Sequence, residues 1–389
     1  MCAQKLKKQY VSRQHRNRRG AVLVLAAIMM FMMLAFLAFT VDTGYLASSK
    51  GEIRRSADAA AIAGCWELFD DLVQGKTQSE CEENVAAEAA LYAGFNLIAN
   101  TSPGLSNELN SRSVEIGYLP SVTSNTLSTN ASLPFHAVRV SVKKNSQQNG
   151  EIPFFFGRIF GDSGRAIDAS ATAVLARNIS GFTTPGNCND TLDVLPFALD
   201  LQTWNTISDN TAQDTFKYNS STGAVTAGSD GVREVNLYPQ GTGSPGNRGT
   251  VDIGGANNST ADIARQIVYG ISAADIQALG KDLNLTSNGS MTLNGDTGIS
   301  AGVKDELASI IGQPRIIPIF SSVSGNGNNA NYTIVKWVGV RILKVTLTGA
   351  LSNKAVIIQP APIISRNFVI SNSEAFTSEY VYSPVLLAR

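Results

Sequence analysis

Ala21–Val41, AVLVLAAIMMFMMLAFLAFTV, is the stretch whose reading decides the rest of the chain. It is 21 residues long, and at about 1.5 Å per residue a helix of that length covers roughly 30 Å, the hydrocarbon thickness of a bilayer. Eleven of its residues are Leu, Ile, Val or Phe, each contributing about −0.3 to −0.6 kcal/mol near the centre of a spanning helix. We expect a membrane-spanning anchor. Before it stand Lys5, Lys7, Lys8, Arg13, Arg16, Arg18 and Arg19, with no acidic residue until Asp42. That bias places the N-terminus in the cytoplasm and everything from Asp42 onward outside the inner membrane. A cleaved signal peptide is the rival reading, but the run exceeds the usual apolar region and lacks a clear small-residue cleavage site after Ala38. Processing after Gly20, as in pilin precursors, is the other rival. Those precursors carry Glu five residues past the cut, where this chain has Leu25.

Outward from the anchor, composition describes an exported surface. Charged residues are 16% of the chain, below the roughly 25% usual for soluble domains. With the seven leader cations set aside, 24 cations face 31 anions, a balance of about −7 that would repel a phosphate backbone. We expect no nucleic-acid partner. Cys65, Cys81 and Cys188 fall in the exported part, where oxidation can occur, and Cys65–Cys81 is the candidate disulfide because both lie in neighbouring predicted helices. Buried free thiols are the alternative.

The pattern predicts an α+β fold in which the anchor runs on as a stalk. An Ala-rich, Pro-free helix covers Tyr45 to about Phe69, with Asp42, Gly44 and Gly51 as its weak points. A second follows from a Ser79 cap to Phe95. Alternation at 113–118 (SVEIGY) and 137–143 (AVRVSVK) predicts antiparallel strands, and 166–176 is a third. Between the last two, 152–161 (IPFFFGRIFG) either seals the sheet or makes a membrane-proximal contact, and we expect core packing. Residues 178–193 (NISGFTTPGNCNDTLD) have the composition of a linker. A second α+β domain, 194–389, then has helices at 259–269, 273–283 and 300–311 and strands at 316–320, 332–348 and 354–364.

Catalytic chemistry is thin. His136 is the sole histidine beyond the leader, so no zinc cluster or Ser-His-Asp triad can be assembled from several histidines, and we expect no cofactor, no metal and no enzyme activity. His136 itself reads as a surface or turn residue. The Gly-rich 241–255 lacks the Gly-Lys-Ser/Thr of a phosphate loop. Asp168, Ser170 and Thr172 have the residue types of a metal-ion-dependent adhesion site, but they alternate along a predicted strand. Nothing in sequence gathers Asp252 with Asp262, or Asp305 with Glu306. Two other function classes remain open: a membrane-tethered hydrolase built on such an acidic pair, and an adhesin or carbohydrate-binding module in 194–389 presenting Trp204 or Trp337 to a surface ligand.

Gly20 through Gly64 resembles the N-terminal module of TadG-like Flp pilus (tight adherence) assembly proteins. The residues that carry the resemblance are Arg18, Arg19 and Gly20 before the span, the exit Val41-Asp42-Thr43-Gly44-Tyr45, and 54–64 (RRSADAAAIAG), similar to that family's Gln-x-Ala-Ala-Asp-Ala-Ala-Ala-Leu-Ala. The phenylalanine segment up to Gly161 and 169–174 (ASATAV) extend the likeness to about residues 15–177, with Arg55 a minor departure. The resemblance implies a membrane-anchored structural component of pilus assembly or surface adherence, with other pilus-assembly proteins as partners. Residues 178–389 show no convincing von Willebrand A motif. The small side chains around Asp58, namely Ala59, Ala60 and Ala61, together with Asp42 and Gly44, are the candidate helix-packing residues.

Overall fold

Arg19–Gln74 form one helix of 56 residues, α1. Its Ala, Leu and Met content and absence of proline favour that length, and Gly44 and Gly51 each cost only about 1 kcal/mol. The computed structural model describes residues 19–106, 112–124, 126–130, 135–187, 190–239, 249–255, 259–325, 327–371 and 377–388. The basic leader before Arg19, Cys2, Cys188 and residues 241–248 lie outside them. α1 carries the apolar span straight into the stalk and stops at Gly75, whose φ of 67° is the left-handed conformation that ends helices.

Gln78–Phe95 form the second helix, α2. Its cap is Thr77 rather than Ser79: the Thr77-x-x-Glu80 spacing makes a reciprocal box in which Thr77 N–H donates to Glu80 Oε2 at 2.8 Å. Lys76 Nζ reaches Asp71 Oδ1 at 2.8 Å, and Asn84 Nδ2 donates to the same buried carboxylate at 3.1 Å, so the three-residue turn is pinned at both ends.

The hairpin lies on a four-stranded antiparallel sheet. Its strands are β1 (Val114–Gly117), β2 (Ala137–Lys144) and, beyond the short β3 (Ile152–Pro153) and β4 (Gly164–Arg165), β5 (Ile167–Leu175). The fourth member is Val385–Ala388, paired to β5 from the far end of the chain. One core, with Ile53, Leu68, Val85, Val138, Val140 and Leu175 among its members, joins hairpin and sheet.

The remaining residues form a second mixed region. Strands Ala330–Thr346, Met291–Asp296, Gly249–Val251, Phe197–Asp200 and Pro314–Ser324 pair in that order, and the last pairs back to the first, closing a small barrel. Ala355–Pro360 and Val235–Tyr238 extend it outward. The helices Thr260–Tyr269, Ala273–Leu279 and Lys304–Ser309 fall within the expected spans, and Leu201–Ser208 adds one the sequence did not announce. The expected linker at 178–193 is different from its composition: Ile179–Phe182 is a fully buried strand between Leu283–Asn284 and Phe368–Ile370. Its aromatic and β-branched residues outweigh the Gly and Pro that follow.

Candidate functional site

Two features of the hairpin module stand out, one at the base of the stalk and one on its flank. At the base, Asp42 is 7% exposed although it follows directly on the apolar span. Its carboxylate accepts the backbone N–H of Phe155 at 2.8 Å, of Phe156 at 3.1 Å and of Gly157 at 2.7 Å. Charge-assisted bonds of this kind are the strong ones. They hold the β3–β4 turn, including a 3-10 turn at Gly157–Phe160, against α1. Phe155 also meets Tyr45 edge-on, with centroids 5.1 Å apart.

The phenylalanine segment is therefore not core. Phe155, Phe156, Ile159 and Phe160 are all exposed, the last two at 77% and 74%. Only Ile152 of that stretch is buried with the sheet. The physical reason is the Asp42 contact, which turns the segment outward along the stalk.

The other candidate packing residues divide by helix face. Ala60 and Ala61 are fully buried within the module, and Gly64 admits α2 so closely that an added Cβ would lie 3.2 Å from Val85 Cγ1 and 3.4 Å from Ala89 Cβ. Their small size thus serves α1's own partner. Gly44 is exposed with open space around it. Asp58 lines a polar cavity with Glu115, Arg139, Ser170 and Thr172. Ala59 faces outward with Ile62, Ala63, Trp66 and Tyr92 into a groove of about 400 Å³ along the hairpin, edged by Glu67, Asp70 and Glu88. Partial burial, and then the charges of Asp71, Glu88 and Asp70, raise the Glu67 carboxyl above its ordinary value. The groove is small-floored, aromatic-walled and acidic.

Cys65 and Cys81 are free, buried thiols in the same core. The expected bridge fails on register. Gly64 lies level with Val85 and Ala89, and Ser56 Oγ donates to Ala93 O at 3.2 Å. Cys81 is then level with Phe69, an axial offset from Cys65 of roughly 6 Å. The two thiols thus stand about one helical turn apart along the hairpin, and neither is bonded to the other. Adjacency of two helices was legible, but their stagger was not.

Elsewhere the candidates resolve into structure. His136 is buried, not a surface residue: Nε2 meets Leu119 O at 3.1 Å and the ring lies edge-on to Tyr118. Trp204 and Trp337 are fully buried, with their indole N–H groups donating to Glu379 Oε2 at 2.8 Å and Ser180 O at 3.1 Å, so neither forms an exposed platform. Asp168, Ser170 and Thr172 alternate along β5, and Arg139 Nε donates to Thr172 Oγ1 at 3.1 Å. Asp252 is raised, first by burial and then by the charge of Asp262, so the fold does bring that pair into electrostatic range. Exposed Asp305 meets Lys304 at 3.6 Å. Among the described residues no group of three metal-ligating side chains converges.

Two family models cover the anchor and hairpin module. Residues 20–67 match the model described as putative Flp pilus-assembly TadE/G-like, and residues 60–173 match putative Tad-like Flp pilus-assembly. Residues 20–173 are thus similar to Tad-type Flp pilus-assembly modules. The matches end within β5, where the module's own sheet ends but for Val385–Ala388. No curated protein and no solved structure matches the chain. The Tad module opens on the chain's candidate membrane span, whose apolar window lies wholly unburied in the fold.

Proposed function

We propose that this Tad-type protein is a single-pass inner-membrane component of an Flp pilus system, N-terminus in the cytoplasm, acting outside the membrane as a structural part rather than by turnover. The observation that carries the reading is the continuity of α1. Its first half is apolar and largely exposed, and its second half is the core helix of the Tad module. Force or position at the membrane would pass into the module without a hinge.

Contact with other assembly proteins belongs at the hairpin groove. Its floor of Ala59 and Ala63 admits a close helix, and Glu67, Asp70 and Glu88 favour a basic one. The region from Val194 onward is read as a binding or spacing element, and a surface ligand there is a weaker expectation now that both tryptophans are internal.

The test is complementation of a strain lacking the gene. The wild-type chain should restore surface pili and stay with membranes after alkaline wash. Leu34→Arg places a charge in the span at a cost of about 3 kcal/mol, and should lose both. Ala59→Trp should remain in the membrane but fail to restore pili. Full piliation without the gene would refute the structural role, and full function of Ala59→Trp would refute the groove.

A further inference from the structure

We infer that the exposed turn Phe155–Phe160 is a second membrane contact, inserted into the outer leaflet beside the spanning helix and held there by Asp42. The inference rests on the anchor reading above. Its ground is depth along α1. Ala38 is the buried residue within the apolar span, and Ala35 is half-buried, whereas the neighbouring apolar side chains are exposed. Ala35, Ala38 and Asp42 follow the three- and four-residue spacing of one helix face. Asp42 on that face binds the turn through three amides, and the 3-10 segment touches α1.

At 1.5 Å per residue, Ala38 lies about 4 Å inside the last apolar residue, Val41. A turn packed against this face beside Asp42 is level with the end of the span. It presents Phe155, Phe156, Ile159 and Phe160 to the surroundings at that level. In water this would be an unexplained apolar patch, and at a bilayer interface it is continuous with the lipid-facing surface of α1.

The polar groups fit the same placement. Thr40 and Thr43 hydroxyls donate back to Phe36 O and Phe39 O, each at 2.8 Å, so they carry no unmet donor near lipid. Asp42 is covered by amides. Arg158 and Arg165 are exposed on the turn and its second strand, where long cationic side chains can reach lipid phosphate, and the acidic groups nearby, Glu151 and Asp162, are exposed too. The occupant is thus the lipid interface of the same membrane.

The experiment uses the full chain in phosphatidylcholine vesicles, with Cys2→Ser and Cys188→Ser and an environment-sensitive fluorophore on Ile159→Cys. Nitroxide lipid labelled just below the glycerol should quench the probe several-fold more than aqueous iodide does. Asp42→Asn, which turns an amide NH2 toward the N–H donors, should reverse that preference while the protein still floats with the vesicles. A probe quenched by iodide and indifferent to nitroxide would overturn the inference and leave the anchor standing. Shielding from both quenchers would mean a protein partner or second copy covers the turn, and also overturns it. A chain that fails to float with vesicles removes the anchor reading and this inference together.

Discussion

Asp42 Oδ1 accepts the Phe155 amide at 2.8 Å, joining the exit of the apolar span to a turn 113 residues later in the chain. With Phe156 and Gly157 on the same carboxylate, a single side chain fixes where the aromatic turn sits on the stalk. The Val41-Asp42-Thr43-Gly44-Tyr45 exit therefore has a stated job for its acid: it is a docking post for backbone.

Removing that post should loosen the turn without unfolding the module. Asp42→Ala leaves three amides without their acceptor, a local cost of about 3 kcal/mol, or roughly a hundredfold in the opened population. Trypsin cleavage after Arg158 should accelerate by about that factor in detergent-solubilised protein, while the far-ultraviolet circular dichroism is unchanged. An unchanged cleavage rate would show that the aromatic contacts alone hold the turn.

Gly64 is a close-packed point on α1, with Val85 and Ala89 of α2 and Val138 of β2 all within 3.4 Å of where a Cβ would stand. Gly64→Leu should overpack all three at once and cost about 3 kcal/mol despite its better helix propensity. Thermal melts followed at 222 nm, a helix-sensitive wavelength, should show the loss. A melt equal to wild type would mean that α2 shifts freely, against the register deduced for the cysteines.

Local signals read well from sequence and long-range ones did not. The helix at Thr260–Tyr269, the alternating β2 strand and the uninterrupted α1 each follow from spacing within about one or two turns. What failed depends on partners far along the chain. The phenylalanine segment is exposed because of Asp42, Ile179–Phe182 is a buried strand because two distant strands flank it, and Cys65 misses Cys81 because of helix stagger. The groove was half legible: Ala59 was singled out, but its aromatic walls required knowing which face α2 leaves open.

The fourth strand of the Tad module's sheet is another such case. Val385–Ala388 pairs with β5 through Leu386 opposite Val174 and Leu387 opposite Ala173, and Leu387 packs on the module core. Leu386→Pro removes a ladder donor and a partly buried side chain, about 1 kcal/mol each. Hydrogen exchange should then quicken in β5 more than in β1, on the opposite edge of the sheet. Equal exchange in the two strands would show that the distant segment does not brace the module.

The two hairpin thiols should be inert while the protein is folded. Burial pushes Cys65 far up and raises Cys81 to about 11, so neither supplies the thiolate that alkylating reagents need at pH 8. A thiol whose folded value is raised contributes stability below its unfolded value, about 8.5, and that contribution is lost as the pH climbs toward 11. The module should accordingly weaken from about pH 8.5 upward, and Cys81→Ala should soften that decline. Mass spectrometry after iodoacetamide treatment at pH 8 should find both residues unmodified in native protein and both modified after denaturation. A Cys65–Cys81 linked peptide in protein prepared without reductant, or rapid alkylation of either thiol in the folded state, would contradict the register that keeps them apart.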